Sequence, residues 1–208
     1  REQIPITKSR GVVWDMHQYY VLFNSNRTPG IPKDRMDRYF LTESEGACPS
    51  HIIVLCRGAV WRVEMLVNGE IRSPDDLHRI LVLIGKESPH VSHSVMPLTA
   101  QTRDVWAKAR DELLSLSAEN RRNVRAVEES AFVLSLSEDV LADEQELLKY
   151  AMMGRSDTTW ADKCINLVVM ADGRILQQGD HSNLDAIVIL DACDRMGAQM
   201  RREKWTPE

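Results

Sequence analysis

Residues 164–202 carry the feature that most narrows the fold. Cys164 to Met170 is an apolar run of strand length, and Asp172-Gly173 is a hairpin turn. Arg174 to Gln178 then returns as a second strand. Gly179-Asp180-His181-Ser182 makes a short loop, and from Leu184 to about Arg202 an apolar-rich stretch predicts a helix. Strand, turn, strand and helix in so short a span call for a sheet covered by helices.

Upstream segments agree. Ile52 to Cys56 is a β-branched and apolar run, Arg57-Gly58 a turn, and Ala59 to Met65 alternates, with Trp61, Val63 and Met65 on one side. Asn68-Gly69 marks further antiparallel pairing. Ser73 is an N-cap with Pro74 at the first helical position, followed by Leu77, Ile80, Leu81 and Ile84 at helical spacing. A longer helix is predicted from about Thr99 to Leu116, with Trp106, Ala109, Leu113 and Leu114 on one side. Residues 120–130 and Glu144 to Met153 are helical, the latter stopped by Gly154, and Ala131 to Leu136 is a strand. Asn24 to Lys33 is a polar, turn-rich stretch broken by Pro29-Gly30 and Pro32. The expected class is α/β, a mixed or antiparallel sheet covered by helices.

With 43% hydrophobic residues among 208, the chain can bury a sizeable core. Its 31 acidic and 26 basic residues leave a net charge of −5, which argues against nucleic acid or an anionic membrane surface as partner. No stretch is long and apolar enough to span a bilayer. Cys48, Cys56, Cys164 and Cys193 show no CxxC spacing, so they read as free thiols, with no zinc site. The chain starts at Arg1 without a methionine, so targeting signals are not informative.

The chemistry is carried by His181-Ser182-Asn183-Leu184-Asp185, an HxxxD arrangement at a strand-to-helix junction. A histidine suits proton removal from a hydroxyl or thiol near neutral pH, provided its ring is held in one orientation. Asp185 is expected in the first helical turn, where the dipole favours a carboxylate. On spacing alone the pattern is weak, and a capping aspartate beside an incidental histidine is the better explanation.

Five ordered segments go further. Met16-His17-Gln18-Tyr19-Tyr20 resembles a Met-Asn-Gln-Tyr-Tyr segment, and Arg27-Thr28-Pro29-Gly30 an Arg-x-Pro-Gly. Leu98-Thr99 with Arg103, Trp106, Ala107, Ala109 and Arg110 resembles a Leu-Thr-Ser-x-x-Arg-x-x-Trp-Ala-x-Ala-Arg helix. Trp160-Ala161-Asp162-Lys163 is similar to Arg-Trp-x-Asp-Lys, and Asp180-His181-Ser182-Asn183-Leu184-Asp185-Ala186 to a catalytic loop. All five are patterns of the choline/carnitine O-acyltransferase family, which the chain resembles along almost its whole length. Tyr39 to Gly46 and Pro49 to Gly58, with aspartate at both 180 and 185, resemble its peroxisomal octanoyl branch.

The resemblance implies an α/β two-layer mixed-sheet sandwich of the CoA-dependent acyltransferase type, one of two similar halves, with residues 1–208 as the histidine-bearing half. The second half would hold most CoA and carnitine contacts, and it lies outside this chain. His181 would be the general base, Asp185 would order its loop, and Tyr20 would line the carnitine side. Acyl-CoA and carnitine would be substrates, with no cofactor or metal, and the location peroxisomal or, alternatively, mitochondrial. Trp106, Arg103, Trp160 and Asp162 would hold the fold. His17, His51, His78, His90 and His93 carry no matching role and are expected at surface or helix-face positions. Thr158-Thr159 replaces the family's Asn-Arg, which removes a cation near the catalytic strand. The rival readings are a catalytically silent truncated homologue serving as a binding module, and another HxxxD acyltransferase, such as a choline enzyme or a trimeric acyl carrier type.

Overall fold

A computed structural model describes residues 4–203 and 206; the outermost residues of the expected 1–208 domain lie outside the described residues. The chain opens with β1 (Lys8–Ser9), β2 (Val12–Val13) and the short helix α1 (Gln18–Val21). Next come an antiparallel pair, β3 (Ser25–Thr28) with β4 (Arg35–Arg38), and a hairpin, β5 (His51–Cys56) with β6 (Ala59–Glu64). A small ribbon follows, β7 (Leu66–Val67) with β8 (Glu70–Ile71), and then α2 (Pro74–Glu87), α3 (Met96–Thr99), α4 (Arg103–Leu116) and α5 (Ala118–Glu129). The remainder is β9 (Val133–Leu136), α6 (Glu144–Met153), β10 (Ile165–Val169), β11 (Ile175–Gly179) and α7 (Ala186–Glu203).

Five strands form one mixed sheet in the order β11-β10-β9-β5-β6. β5, β9 and β10 run parallel, and both edges are antiparallel hairpin partners. All six residues of β5 are buried, as its unbroken apolar run requires of a central strand. Arg57 and Gly58 both take positive φ (52° and 81°) to close the β5–β6 turn. The Ser73 cap is present: its Oγ accepts from the Asp76 N–H at 3.1 Å, with Pro74 in the first turn.

Register separates the two faces. Ile53 and Leu55 of β5 and Val133 of β9 pack with Val124 and Val127 of α5, Trp106 of α4 and Trp160. Val168 and Leu176 lie on the same face under α6. Ile52, Val54 and Cys56 face the other way, against Leu77, Ile80, Leu81 and Ile84 of α2, and Ile165 and Leu167 pack against Val188, Ile189 and Ala192 of α7. Helices therefore cover both faces, so the expected two layers are corrected to three. The central strands are apolar on both sides, and one helical layer would leave a face wet.

Other differences are local. The helix predicted from Thr99 is two helices, because Thr102 adopts an extended cap conformation and restarts the chain as α4. The polar stretch after Asn24 contains β3, whose Ser25, Asn26 and Thr28 are buried. Its backbone carbonyls and amides are satisfied by β4 and by Asp162, so no apolar alternation was available to announce it. His51 is buried, not at the surface; its Nε2 lies 2.7 Å from the Ala126 carbonyl oxygen.

Candidate active site

Three supports hold the His181 loop. The first is the end of β11, where Gly179 lies so close to α7 that an added Cβ would sit 2.9 Å from Ile189 Cδ1. The second is buried Leu184, which packs with Tyr19, Val21, Leu22 and Val188. The third is electrostatic. Asp180, 7% exposed, accepts from the Ser182 N–H through Oδ1 at 2.7 Å. Its Oδ2 lies 3.1 Å from Arg27 Nε, an ion-pair contact without hydrogen-bond alignment. Arg27 Nη1 also donates to Ser182 Oγ at 3.1 Å.

His181 itself projects outward, its side chain 76% exposed. Asp185 is close, with Oδ1 3.9 Å from His181 Nε2, which is beyond hydrogen-bond length. Asp185 stands one residue before α7, not inside its first turn, and its Oδ1 accepts from the Ala186 N–H at 3.0 Å. Its own N–H donates to Gln18 Oε1 at 2.6 Å, which joins the α1 segment to the loop.

The two tyrosines of α1 separate clearly. Tyr19 is buried and donates to Asp191 Oδ2 at 2.8 Å; burial and this hydrogen bond push its pKa up to about 12. Tyr20 is half-buried, its ring 5.8 Å from that of Phe40 and 6.2 Å from that of His17. Of the pair, Tyr20 alone offers a partly open face. A cleft of about 270 Å³ beside the loop is lined by His17, Val21, Met36, Asp37, Arg38 and Asn183. Asn183 Oδ1 is buried with no donor, and Thr28 and Arg35 hold the Asp37 carboxylate below its usual range against the cost of burial.

Beneath the loop lies an ion-pair network. Asp162, 1% exposed, accepts from Arg103 Nη1 and Trp106 Nε1, both at 2.6 Å. Arg103 also donates to Asp34 at 2.6 Å. Trp106 and Trp160 meet edge-on with centroids 6.1 Å apart, a geometry that contributes about 0.5–1.5 kcal/mol beyond area burial. The four family-matched residues thus hold the floor of the site. Arg27 and Asp180, by contrast, were not singled out as site residues; the signal available was their place in two of the five matched segments. Where Thr158-Thr159 replaces Asn-Arg, a cation still stands nearby: Arg155 pairs with Asp139 at 3.0 Å and Asp157 at 2.8 Å.

No group of three or more His, Cys, Asp or Glu side chains among the described residues could hold a metal ion. No described helix is long and apolar enough to cross a membrane.

Comparison with known proteins places this arrangement. Mouse peroxisomal carnitine O-octanoyltransferase is 36% identical over 197 residues, which is 92% of this chain and 32% of that protein. Human mitochondrial carnitine O-palmitoyltransferase 2 is 30% identical over 178 residues, 85% of this chain and 26% of that protein. A highly reducing polyketide synthase of Aspergillus luteorubrus is 31% identical over 182 residues, 88% of this chain and 6% of that protein. The chain thus spans about a quarter to a third of the length of the carnitine enzymes it matches. The choline/carnitine O-acyltransferase family profile matches residues 1–208. The chain belongs to the choline/carnitine O-acyltransferase family.

Proposed function

We propose that this chain is the histidine-bearing half of a carnitine O-acyltransferase of medium-chain, octanoyl-like preference, acting in the peroxisome. The observation that carries the proposal is the coincidence of the family match with a tethered, outward-facing histidine: His181 is presented on a loop held by Asp180, Leu184 and Asp185. His181 takes the proton of the carnitine hydroxyl while that oxygen attacks the acyl-CoA thioester carbonyl. The carbon–sulfur bond then breaks, and the departing CoA thiolate recovers the proton from the imidazolium. CoA and carnitine are substrates, and no cofactor or metal takes part. Asp185 orders the loop, and Tyr20 lines the carnitine side.

The exposure of His181 fits a site completed elsewhere. Acyl transfer needs water excluded from the thioester, and a second half of the protein supplies that cover together with the CoA contacts. The octanoyl preference and the peroxisomal location rest on the mouse relative's identity exceeding that of the mitochondrial palmitoyltransferase. The test is acyl transfer by the full parent protein across acyl lengths, with His181→Ala beside it. Loss of transfer in a folded His181→Ala protein, with an optimum at medium chains, is the expected result. Near-normal turnover without His181 would overturn the assignment.

A further inference from the structure

We infer that Arg27 is a positioning residue for His181, acting through the two residues that flank it. The inference rests on His181 being the base. Arg27 sits on β3, whose sequence separation from the loop exceeds 150 residues, and its guanidinium reaches both sides of the histidine. On one side Nε meets Asp180 Oδ2 at 3.1 Å; on the other Nη1 donates to Ser182 Oγ at 3.1 Å. Asp180 Oδ1 in turn accepts from the Ser182 N–H at 2.7 Å. The guanidinium, the carboxylate and Ser182 therefore close a ring across the backbone of His181. A planar fork can make both contacts at once, whereas a single ammonium cannot.

Arg27 is itself fixed. Its N–H donates to the Asp162 carbonyl at 2.9 Å, and its Nε lies 3.5 Å from both Asp34 and Asp162 carboxylates. Those carboxylates are already bound by Arg103 at 2.6 Å, so the floor keeps a cation when Arg27 is lost. The start of α7 is also tied independently, through Gln18 and Leu184. Removal of Arg27 therefore acts on the direction of the imidazole more than on the fold. Asp180 would lose its only cation among the described residues, and its buried carboxylate is the part that shifts.

The experiment uses the full parent protein carrying Arg27→Ala, Arg27→Lys, Ser182→Ala and, as a reference, His181→Ala. Misplacement of a reacting group by about 1 Å costs on the order of 100-fold in rate. Arg27→Ala is therefore expected to lower kcat by roughly 10- to 100-fold while KM for both substrates holds. Added guanidinium should restore part of that loss, a recovery that general destabilisation would not give. Arg27→Lys should recover part of the rate, and Ser182→Ala, which touches only the exposed end of the ring, should lower kcat by a smaller factor at an unchanged Tm. If Arg27→Ala fails to fold, Arg27→Lys and Ser182→Ala decide: parental kcat in both overturns the inference. A folded Arg27→Ala protein with parental kcat, or a loss that guanidinium does not recover and Tm fully tracks, also overturns it. An active His181→Ala protein would instead sink the base assignment, whereas a dead His181→Ala beside an active Arg27→Ala would sink only the role of Arg27.

Discussion

The Asp185 N–H donates to Gln18 Oε1 at 2.6 Å, across 167 residues of chain. This bond fixes where α7 begins relative to α1, and Tyr19, the next residue of α1, grips α7 itself through Asp191, six residues beyond Asp185. The segment carrying the tyrosine pair is therefore a bracket for the histidine loop as well as a wall of the candidate site. Replacing Gln18 by Ala removes one bond, which costs about 1 kcal/mol of stability. The expected outcome in the parent protein is a small fall in Tm and a clear fall in kcat. Unchanged kcat would show that the bracket serves the fold alone.

Asp185 separates into two roles that one pair of variants can resolve. Its Oδ1 accepts from the Ala186 N–H at 3.0 Å and lies 3.9 Å from His181 Nε2. Asn at this position keeps the capping oxygen but loses the charge, whereas Ala loses both. Asp185→Ala should cost about 1 kcal/mol as a lost cap. Asp185→Asn should keep most of that stability yet still lose turnover. Full turnover in Asp185→Asn would reduce Asp185 to a cap.

The fold was legible wherever apolar periodicity spoke for burial. β5, β10 and α2 follow their predicted patterns because each buries a run or a stripe that water would penalise, and α6 because it packs Leu147 and Ala151 against the sheet. β3 was hidden because its buried residues Ser25, Asn26 and Thr28 are polar: the Ser25 and Thr28 hydroxyls donate to the Val21 carbonyl and to Asp37, and the long-range tie is a backbone one, from the Arg27 N–H to the Asp162 carbonyl. That is also why Arg27 went unmarked: nothing local says that its guanidinium reaches residue 182. His181 and Asp185 were found by motif, but the motif carries no distance. Their 3.9 Å separation and their exposure emerge only when α1, β11 and α7 are packed together.

Asp162 holds two donors, Arg103 and Trp106, at a position 1% exposed. Burial pushes its pKa up, and the bonds from Arg103 and Trp106 and the charge of Arg27 pull it down. Asp162→Ala would strand the indole N–H and part of the Arg103 charge, and breaking such a buried pair costs about 3–5 kcal/mol. The expected result is a protein that is mostly unfolded at temperatures where the parent is folded. A Tm within a few degrees of the parent would mean that water replaces the carboxylate without penalty.

Lys163 gives the stability its pH dependence on the alkaline side. The side chain is completely buried, its Nζ donates to the Glu128 carbonyl at 2.6 Å, and desolvation lowers its pKa from 10.5 to about 8 despite opposing pulls from Cys164, Glu128 and Glu129. In the unfolded chain the ammonium keeps its proton to the ordinary lysine value near 10.4. Below about pH 8 both states are protonated, and the folded state carries the full cost of a buried charge. Between pH 8 and the unfolded value the folded state releases its proton while the unfolded state retains it, so unfolding takes up protons and stability rises with pH. The rise amounts to on the order of 3 kcal/mol at 1.36 kcal/mol per unit. Tyr19 and Tyr39, both pushed to about 12, act in the opposite sense above the ordinary tyrosine value. Denaturant unfolding of the 208-residue chain from pH 7 to 10, beside Lys163→Met, isolates the lysine. The parent should gain stability across that window and Lys163→Met should not. Parallel curves for the two proteins would show that Lys163 keeps its proton in the folded state throughout.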